Sequence, residues 1–264
     1  MANQQEVVTN LLNSLKPEQN IRQPAEKWLI SSMSADNFGP LLLNLVQSHP
    51  DAGVKLVASI TFKNLIKKYW GSEDDGDNKI NEQDRNVIRS QIIELMLKSD
   101  EQYQKVLSEA VTIIGKYDFP SKWENLFDQL IGYFGTGDFH IINGVLRTIH
   151  SITKRYRYET KCDDLWREIK FVLEKFAIPF TELFVKIFDY SKEQADNPKA
   201  IKVIVSSLVQ CAKIFYTVVF LKFKIQGQFL VISDSFKKNQ HLQNFIFGPF
   251  LKVFDISIKP PCTR

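Results

Sequence analysis

The residue types that carry most metal and nucleophilic chemistry are few in this sequence, and their spacing does not gather them. The histidines are His49, His140, His150 and His241, and none has a partner at metal-ligand spacing on one helix face. His140 and His150 fall on one expected helix. Ten residues there turn by about 1000° and rise about 15 Å, leaving the rings roughly 80° apart. They cannot share a metal. Cys162, Cys211 and Cys262 are odd in number and about 50 residues apart, with no Cys-x-x-Cys, which fits neither a disulfide framework nor a zinc site. A reducing compartment is the natural reading. Gly135-Thr136-Gly137 is a lone Gly-x-Gly with no third glycine and no preceding strand, and reads as a helix C-terminal turn using positive φ. The acidic run from Glu73 to Asn78 suggests calcium, but oxygen ligands are needed at both flanking positions and position 71 is Gly71. A solvated loop is expected. With no Gly-x-Ser-x-Gly elbow and no phosphate loop, no catalytic residue, cofactor or metal is expected.

Cationic side chains are the remaining chemistry. Lys63, Lys67 and Lys68 share one expected helix, and Lys154-Arg155-Tyr156-Arg157 ends another. Cations in a last turn complement the helix dipole without needing a ligand. The functional reading is a partner-binding basic patch of Arg147, Lys154, Arg155 and Arg157, suited to an acidic protein surface. A sustained basic stripe with interleaved aromatics is missing, which weighs against nucleic acid.

These residues must be positioned by helices. Val7, Val8, Leu11, Leu12 and Leu15 trace one stripe of a 3.6-residue period, and Pro17 closes it. Similar stripes run through Ala25–Met33, Leu41–Val46, Val54–Ile66, Val87–Met96, Val106–Ile114, Trp123–Ile131 and Ile142–Ile152. A long helix from Asp163 to about Tyr190, bent at Pro179, and a last one over 200–216 complete the set. Ser99-x-x-Gln102 and Ser121-x-x-Glu124 fit capping boxes, and Asn197-Pro198 fits an N-cap followed by a first-turn proline. Short breaks make neighbours antiparallel. The result is about ten helices in five pairs, recurring roughly every 35 to 45 residues, a period that matches HEAT-type repeats. A non-repeating helical globule is the alternative.

Composition agrees with this and excludes other classes. Hydrophobic residues are 44% and charged residues 24%, with 11 Gly and 10 Pro among 264 residues. That excludes bulk disorder and collagen-like sequence and disfavours a turn-rich sandwich. The N-terminus lacks the basic flank and apolar core of a signal peptide. Lys202, Gln210, Lys213, Lys222 and Lys224 interrupt the most apolar region, so no membrane span is expected. A soluble, intracellular protein follows.

Three stretches resemble a known family. Pro24-Ala-Glu-Lys-Trp-Leu29, Pro40-Leu-Leu-Leu43 and Val57-Ala-Ser-Ile-Thr-Phe-Lys-Asn-Leu-Ile-Lys-Lys-Tyr-Trp70 are similar to the N-terminal domain of importin-β-superfamily transport receptors. Ser108 to Trp123, Gly137 to Arg157 and Asp163 to Lys170 resemble one branch, the CAS-type exportins. The resemblance covers residues 1–217, with the importin-β N-terminal domain at about 22–98. It implies an all-α, right-handed α-solenoid of about five HEAT-type antiparallel helix pairs, with a divergent C-terminal tail. It also implies no enzymatic activity, shuttling between nucleus and cytoplasm, and binding of the small GTPase Ran in its GTP form and of importin-α. Phe-Gly repeats of the nuclear pore are a further implied partner. The concave face would be lined by helices 20–33, 54–70, 102–116 and 139–156. Carried onto this sequence, the Ran-facing motif falls on Ser59, Phe62, Lys63 and Asn64, with Lys63 and Asn64 as polar contacts and Phe62 packing inward. A Ran-independent helical scaffold, or an RNA-associated protein, is the alternative.

Residues 218–264 differ in character. They hold 8 of the 20 Phe, and 7 Lys and Arg against 2 Asp and Glu, leaving 27 and 28 for residues 1–217. The overall charge of +4 is therefore a property of this tail. Phe220-Leu-Lys-Phe-Lys-Ile225 and Phe250-Leu-Lys-Val-Phe254 alternate in a β-like way. The tail reads either as an alternative end to a truncated receptor or as a genuine end that caps the last repeat with aromatic side chains.

Overall fold

The computed structural model describes residues 3–71, 80–159 and 162–225, with side-chain surroundings as far as residue 217. Among the described residues there are ten α-helices, two short 3-10 turns and no strand. The helices are α1 (Gln4–Asn13), α2 (Gln19–Ser32), α3 (Phe38–Ser48), α4 (Ala52–Tyr69), α5 (Glu82–Lys98), α6 (Glu101–Asp118), α7 (Leu126–Ile131), α8 (Phe139–Lys154), α9 (Asp163–Glu193) and α10 (Pro198–Ile225). The all-α expectation holds, and the four expected inner helices correspond to α2, α4, α6 and α8. The chain divides into two compact units, Met1–Ile152 and Thr153–Arg264.

In the first unit, consecutive helices pair and like helices stack. α1 packs on α2, α3 on α4 and α5 on α6, while α3 also lies against α5 and α4 against α6. The two-residue link Ser99–Asp100 forces the chain to reverse between α5 and α6. The core lies between the stacked pairs. Leu42 and Leu45 of α3, Ala58, Phe62 and Ile66 of α4, Ile88 and Ile92 of α5, and Leu107, Val111 and Ile114 of α6 are all fully buried.

Two polar contacts cross this apolar packing. The buried Arg89 guanidinium on α5 donates to Asp118 at the end of α6, to Asn86, and to the more exposed Glu82. Between α6 and α8, the buried Ser108 and Thr148 hydroxyls lie 2.8 Å apart. Thr148 Oγ1 also lies 2.9 Å from the Gly144 carbonyl and 3.4 Å from Met96 Sδ.

The second unit is built from α9, α10 and the 3-10 turn Arg155–Arg157, against which α10 packs. Tyr156, Leu165 and Ile169 form one buried cluster with Trp166 and Leu173. Further along α9, the Phe176 and Phe180 rings stack with centroids 4.7 Å apart. α9 continues through Pro179. Arg155 pairs with Glu159 at 3.3 Å and with Glu168. Tyr156 Oη donates to Glu168 Oε1 at 2.7 Å. Burial pushes the Glu168 carboxyl above the usual glutamate range, against the pull of Arg155.

Several local expectations are corrected. Ser99 does not cap α6; its hydroxyl donates back to the Leu95 carbonyl at 2.6 Å, because the link is so short that Ser99 still belongs to the end of α5. Ser121 lies in a turn, and α7 starts only at Leu126, so the second capping box does not form either. Asn197 does cap α10, accepting from Ala200 N–H at 3.2 Å. Gly137 has φ 71°, as a left-handed turn requires. The acidic run near Glu73 lies outside the described residues, as does the Phe250–Phe254 alternation. Phe220–Ile225 is helical: α10 runs on through it to Ile225, since extending an existing helix is far easier than nucleating a strand. By length and mean hydropathy the span Pro198–Thr217 is apolar enough to cross a membrane; Lys202 and Lys213, expected to interrupt it, sit on its exposed side.

The ion pairs give two tests. Asp118→Ala takes away the buried carboxylate partner of Arg89, leaving the guanidinium only Asn86 and the more exposed Glu82, and is expected to lower stability by about 3 kcal/mol, whereas Glu82→Ala, at an exposed partner, costs under about 1 kcal/mol; urea unfolding followed by circular dichroism distinguishes them. For Glu168 the folded pKa lies above the unfolded one. Its contribution to stability is therefore complete below the ordinary glutamate pKa and is lost as pH rises through the raised value. Unfolding midpoints measured upward from about pH 4 should show the natural chain losing stability through a step that is missing in Glu168→Gln.

Candidate partner-binding surface

The polar motif on α4 is set by the rotation of that helix. Asp51 Oδ1 accepts from Val54 N–H at 3.0 Å and so satisfies a first-turn amide, while Lys67 and Lys68 occupy the last turn, where they complement the dipole. Ser59 and Phe62 are fully buried between these ends, and Ser59 Oγ donates to the Leu56 carbonyl at 2.7 Å. Phe62 belongs to the core. Lys63 is partly exposed and Asn64 exposed, so two of the four residues selected from sequence reach solvent. Ile60, Asn64, Lys67 and Lys68 follow one another at helical spacing on the exposed side.

α6 adds groups that the sequence did not single out. Lys63 Nζ lies 3.5 Å from Glu109 Oε2, spanning the seam between α4 and α6. Near the end of α6 the half-exposed Tyr117 ring covers Gly71 so closely that a Cβ there would fall 2.1 Å from a ring carbon. Lys116 sits 5.4 Å from the Tyr117 ring centroid, and Lys68 sits 5.0 Å from that of Tyr69. The face thus offers ammonium groups beside aromatic rings, one amide and one carboxylate. Such a set recognises polar and acidic protein surface, and no side chain in it is placed as a nucleophile with its base.

The predicted basic patch is divided between the two units. In the first, Arg147 Nη1 donates to Gln104 Oε1 at 3.3 Å, and Nη2 lies 4.0 Å from Glu101 Oε1. The hydrogen bond from Lys105, with weaker help from Arg147, holds the Glu101 carboxyl below its ordinary range. Beside them His140 Nε2 donates to the Ser99 carbonyl at 2.8 Å, so this histidine ties α8 to the α5–α6 link. In the second unit Lys154 is exposed. Arg155 is already neutralised by Glu159 and Glu168, and the Arg157 guanidinium lies 5.5 Å from the Tyr158 centroid and 5.7 Å from that of Tyr216.

Of the described cysteines, Cys162 is exposed and Cys211 is buried. Cys162 Sγ accepts from Leu165 N–H at 3.5 Å at the start of α9, and burial pushes the Cys211 thiol up to about 12. Among the described residues no group of three or more His, Cys, Asp or Glu is placed to hold a metal ion.

Comparison with known proteins gives this chain relatives. Residues 25–98 match the importin-beta N-terminal domain, and residues 152–223 match the Cse1 family model. Exportin-2 of Oreochromis niloticus and of Homo sapiens are each 46% identical over 219 residues, 83% of this chain and 23% of their own length. The chain thus spans just under a quarter of the relatives it matches. A solved structure of the exportin Cse1, in a cargo-free, cytoplasmic state, superposes with a TM-score of 0.75 at 27% identity, covering 85% of this chain and 25% of that one. The Cse1 match crosses the 217 boundary expected from sequence and stops within α10. With α4 and its polar motif inside the importin-beta N-terminal match, and α9 and most of α10 inside the Cse1 match, the chain is a homologue of exportin-2 (Cse1) over 83% of its length and carries the N-terminal domain of the importin-β superfamily.

Proposed function

We propose that this chain acts as a nuclear transport receptor of the exportin-2 type, binding Ran in its GTP form together with importin-α and carrying importin-α from nucleus to cytoplasm. The observation that carries the reading is the α4–α6 face, where Lys63 and Asn64 reach solvent within the stretch that matches the importin-beta N-terminal domain. Lys63 holds Glu109 in the free chain. A partner carboxylate can take over that ammonium group without exposing a buried charge, because both members of the pair touch water. The reaction is binding, not catalysis. Ran-GTP and importin-α favour one conformation of the repeats, so each tightens the other by the same free energy, and hydrolysis of GTP on Ran withdraws that contribution and releases the cargo. The protein then shuttles between the two compartments. Helix pairs that touch only their neighbours suit this role, since small rotations between pairs accumulate along the stack.

Titration with Ran carrying a non-hydrolysable GTP analogue, and separately with Ran-GDP, tests the reading. Binding to the first and not the second is expected. Lys63→Ala with Asn64→Ala should weaken it about tenfold, the effect of losing polar contacts worth about 1.4 kcal/mol. Stability should change by under about 1 kcal/mol, as for other exposed pairs. Nucleotide-independent binding, or none, would overturn the proposal. Binding to RNA that falls steeply with salt would favour the RNA-associated alternative in its place.

A further inference from the structure

The α4–α6 face carries a carboxylate that a surface built only to attract acidic groups does not need. Lys63, Lys67 and Lys68 on α4 and Lys116 on α6 are partly or fully exposed, and Glu109 stands 3.5 Å from Lys63. Its place is fixed by the packing. Ser108 and Ala110, on either side of it in α6, are buried, as is Phe62 next to Lys63 in α4. Two opposite charges therefore stand at set points on two packed helices, not on loops. One turn before Glu109, Lys105 is engaged by Glu101 at 2.7 Å, and Lys63 is the cation that Glu109 meets. The Glu109 side chain is 66% exposed and that of Lys63 26%, and an exposed pair of this kind exchanges partners at small cost. What it decides is the outcome of that exchange. A partner carboxylate that takes Lys63 deprives Glu109 of its counter-charge and comes to rest close to it, where two like charges repel. A partner with a cation beside its carboxylate removes the conflict, since its cation meets Glu109 while its carboxylate meets Lys63.

We propose that Glu109 is a specificity-determining residue of this face, admitting a protein surface that presents a carboxylate and a cation side by side and disfavouring one of uniform negative charge. That role rests on the reading of the α4–α6 face as a binding surface, and not on which partner it binds. Charge patterns across an interface select partners more than they add affinity, and a like charge facing the wrong partner is a direct means of exclusion. The same mixed pattern continues along α6. Glu101, Lys105 and Glu109 alternate in sign on successive turns of its exposed side, and Arg147 of α8 lies 4.0 Å from Glu101.

Two labelled peptides of equal length, poly-glutamate and an alternating Glu–Lys sequence, test this when titrated against the full chain and followed by fluorescence anisotropy. Low ionic strength keeps the exposed charges from being screened. Glu109→Gln should tighten poly-glutamate about threefold and weaken the alternating peptide by a similar factor, the size of effect that one exposed charge has. Lys63→Gln should weaken both. Circular dichroism should stay unchanged in each variant, because both side chains reach water. Affinities for both peptides that do not move in Glu109→Gln, as for a carboxylate that only solvates the seam, would overturn the proposal. So would a shift of both in the same direction, which makes Glu109 no judge of charge pattern, or a Lys63→Gln variant that binds both as before, which puts the peptides elsewhere. Ran carrying the non-hydrolysable GTP analogue is titrated against the same variants. No Ran binding by the natural chain, with the peptides shifting in opposite directions, counts against the transport reading alone. Ran bound by the natural chain, with the peptide affinities unmoved by Glu109→Gln, counts against the role of Glu109 alone.

Discussion

The apolar contact between α4 and α6 is the interaction on which the first unit and its candidate surface both depend. Phe62, Leu65 and Ile66 on one helix, and Leu107, Val111 and Ile114 on the other, are buried. Their burial fixes the rotation of each helix about its own axis. Once Phe62 points inward, Lys63 must emerge at the edge of the seam, where Glu109 of α6 meets it, and Asn64 must turn to the exposed side of α4. The hydrophobic effect has no direction of its own. Here the 3.6-residue period converts it into a defined orientation for groups that have one.

The second unit uses the opposite balance. Its 3-10 turn is tied to α9 by charge, through Arg155, Glu168 and the Tyr156 hydroxyl, in a site dry enough to raise the carboxyl's pKa. A buried charge pair of this kind adds little net stability over an apolar substitute, but losing one partner is costly. The seating of the turn on the helix therefore depends on both partners being present. Arg155, one of the four cations that the sequence offers as a partner-binding patch, is for this reason already engaged by the fold.

Helix positions were legible because each stripe, such as Val7–Leu15 or Val54–Ile66, repeats a period that only a helix satisfies. The pairing followed from short breaks. What escaped sequence reasoning depended on distances that spacing does not encode. Ser99-x-x-Gln102 satisfies the capping pattern, yet the link is two residues long and the serine is held by the preceding helix. The alternation at Phe220–Ile225 is outweighed by the helix already running into it. Of the Ran-facing motif, the inward Phe62 could be read from its place in the stripe. The pairing of Lys63 with Glu109, 46 positions away, and of Arg155 with Glu168 had no local signal.

The buried hydroxyl pair between α6 and α8 has a consequence for assembly of the stack. Apolar helix faces slide over one another with little change in contact, and adjacent positions one turn apart, about 5.4 Å, look nearly alike. Sliding α8 by that distance would separate Ser108 from Thr148 and leave the Ser108 hydroxyl buried without its partner, at a cost of about 1 to 3 kcal/mol. Thr148 would keep its bond to Gly144, within its own helix. The penalty therefore falls on the neighbouring helix, and one serine acts as an index mark against which the next helix is set in phase.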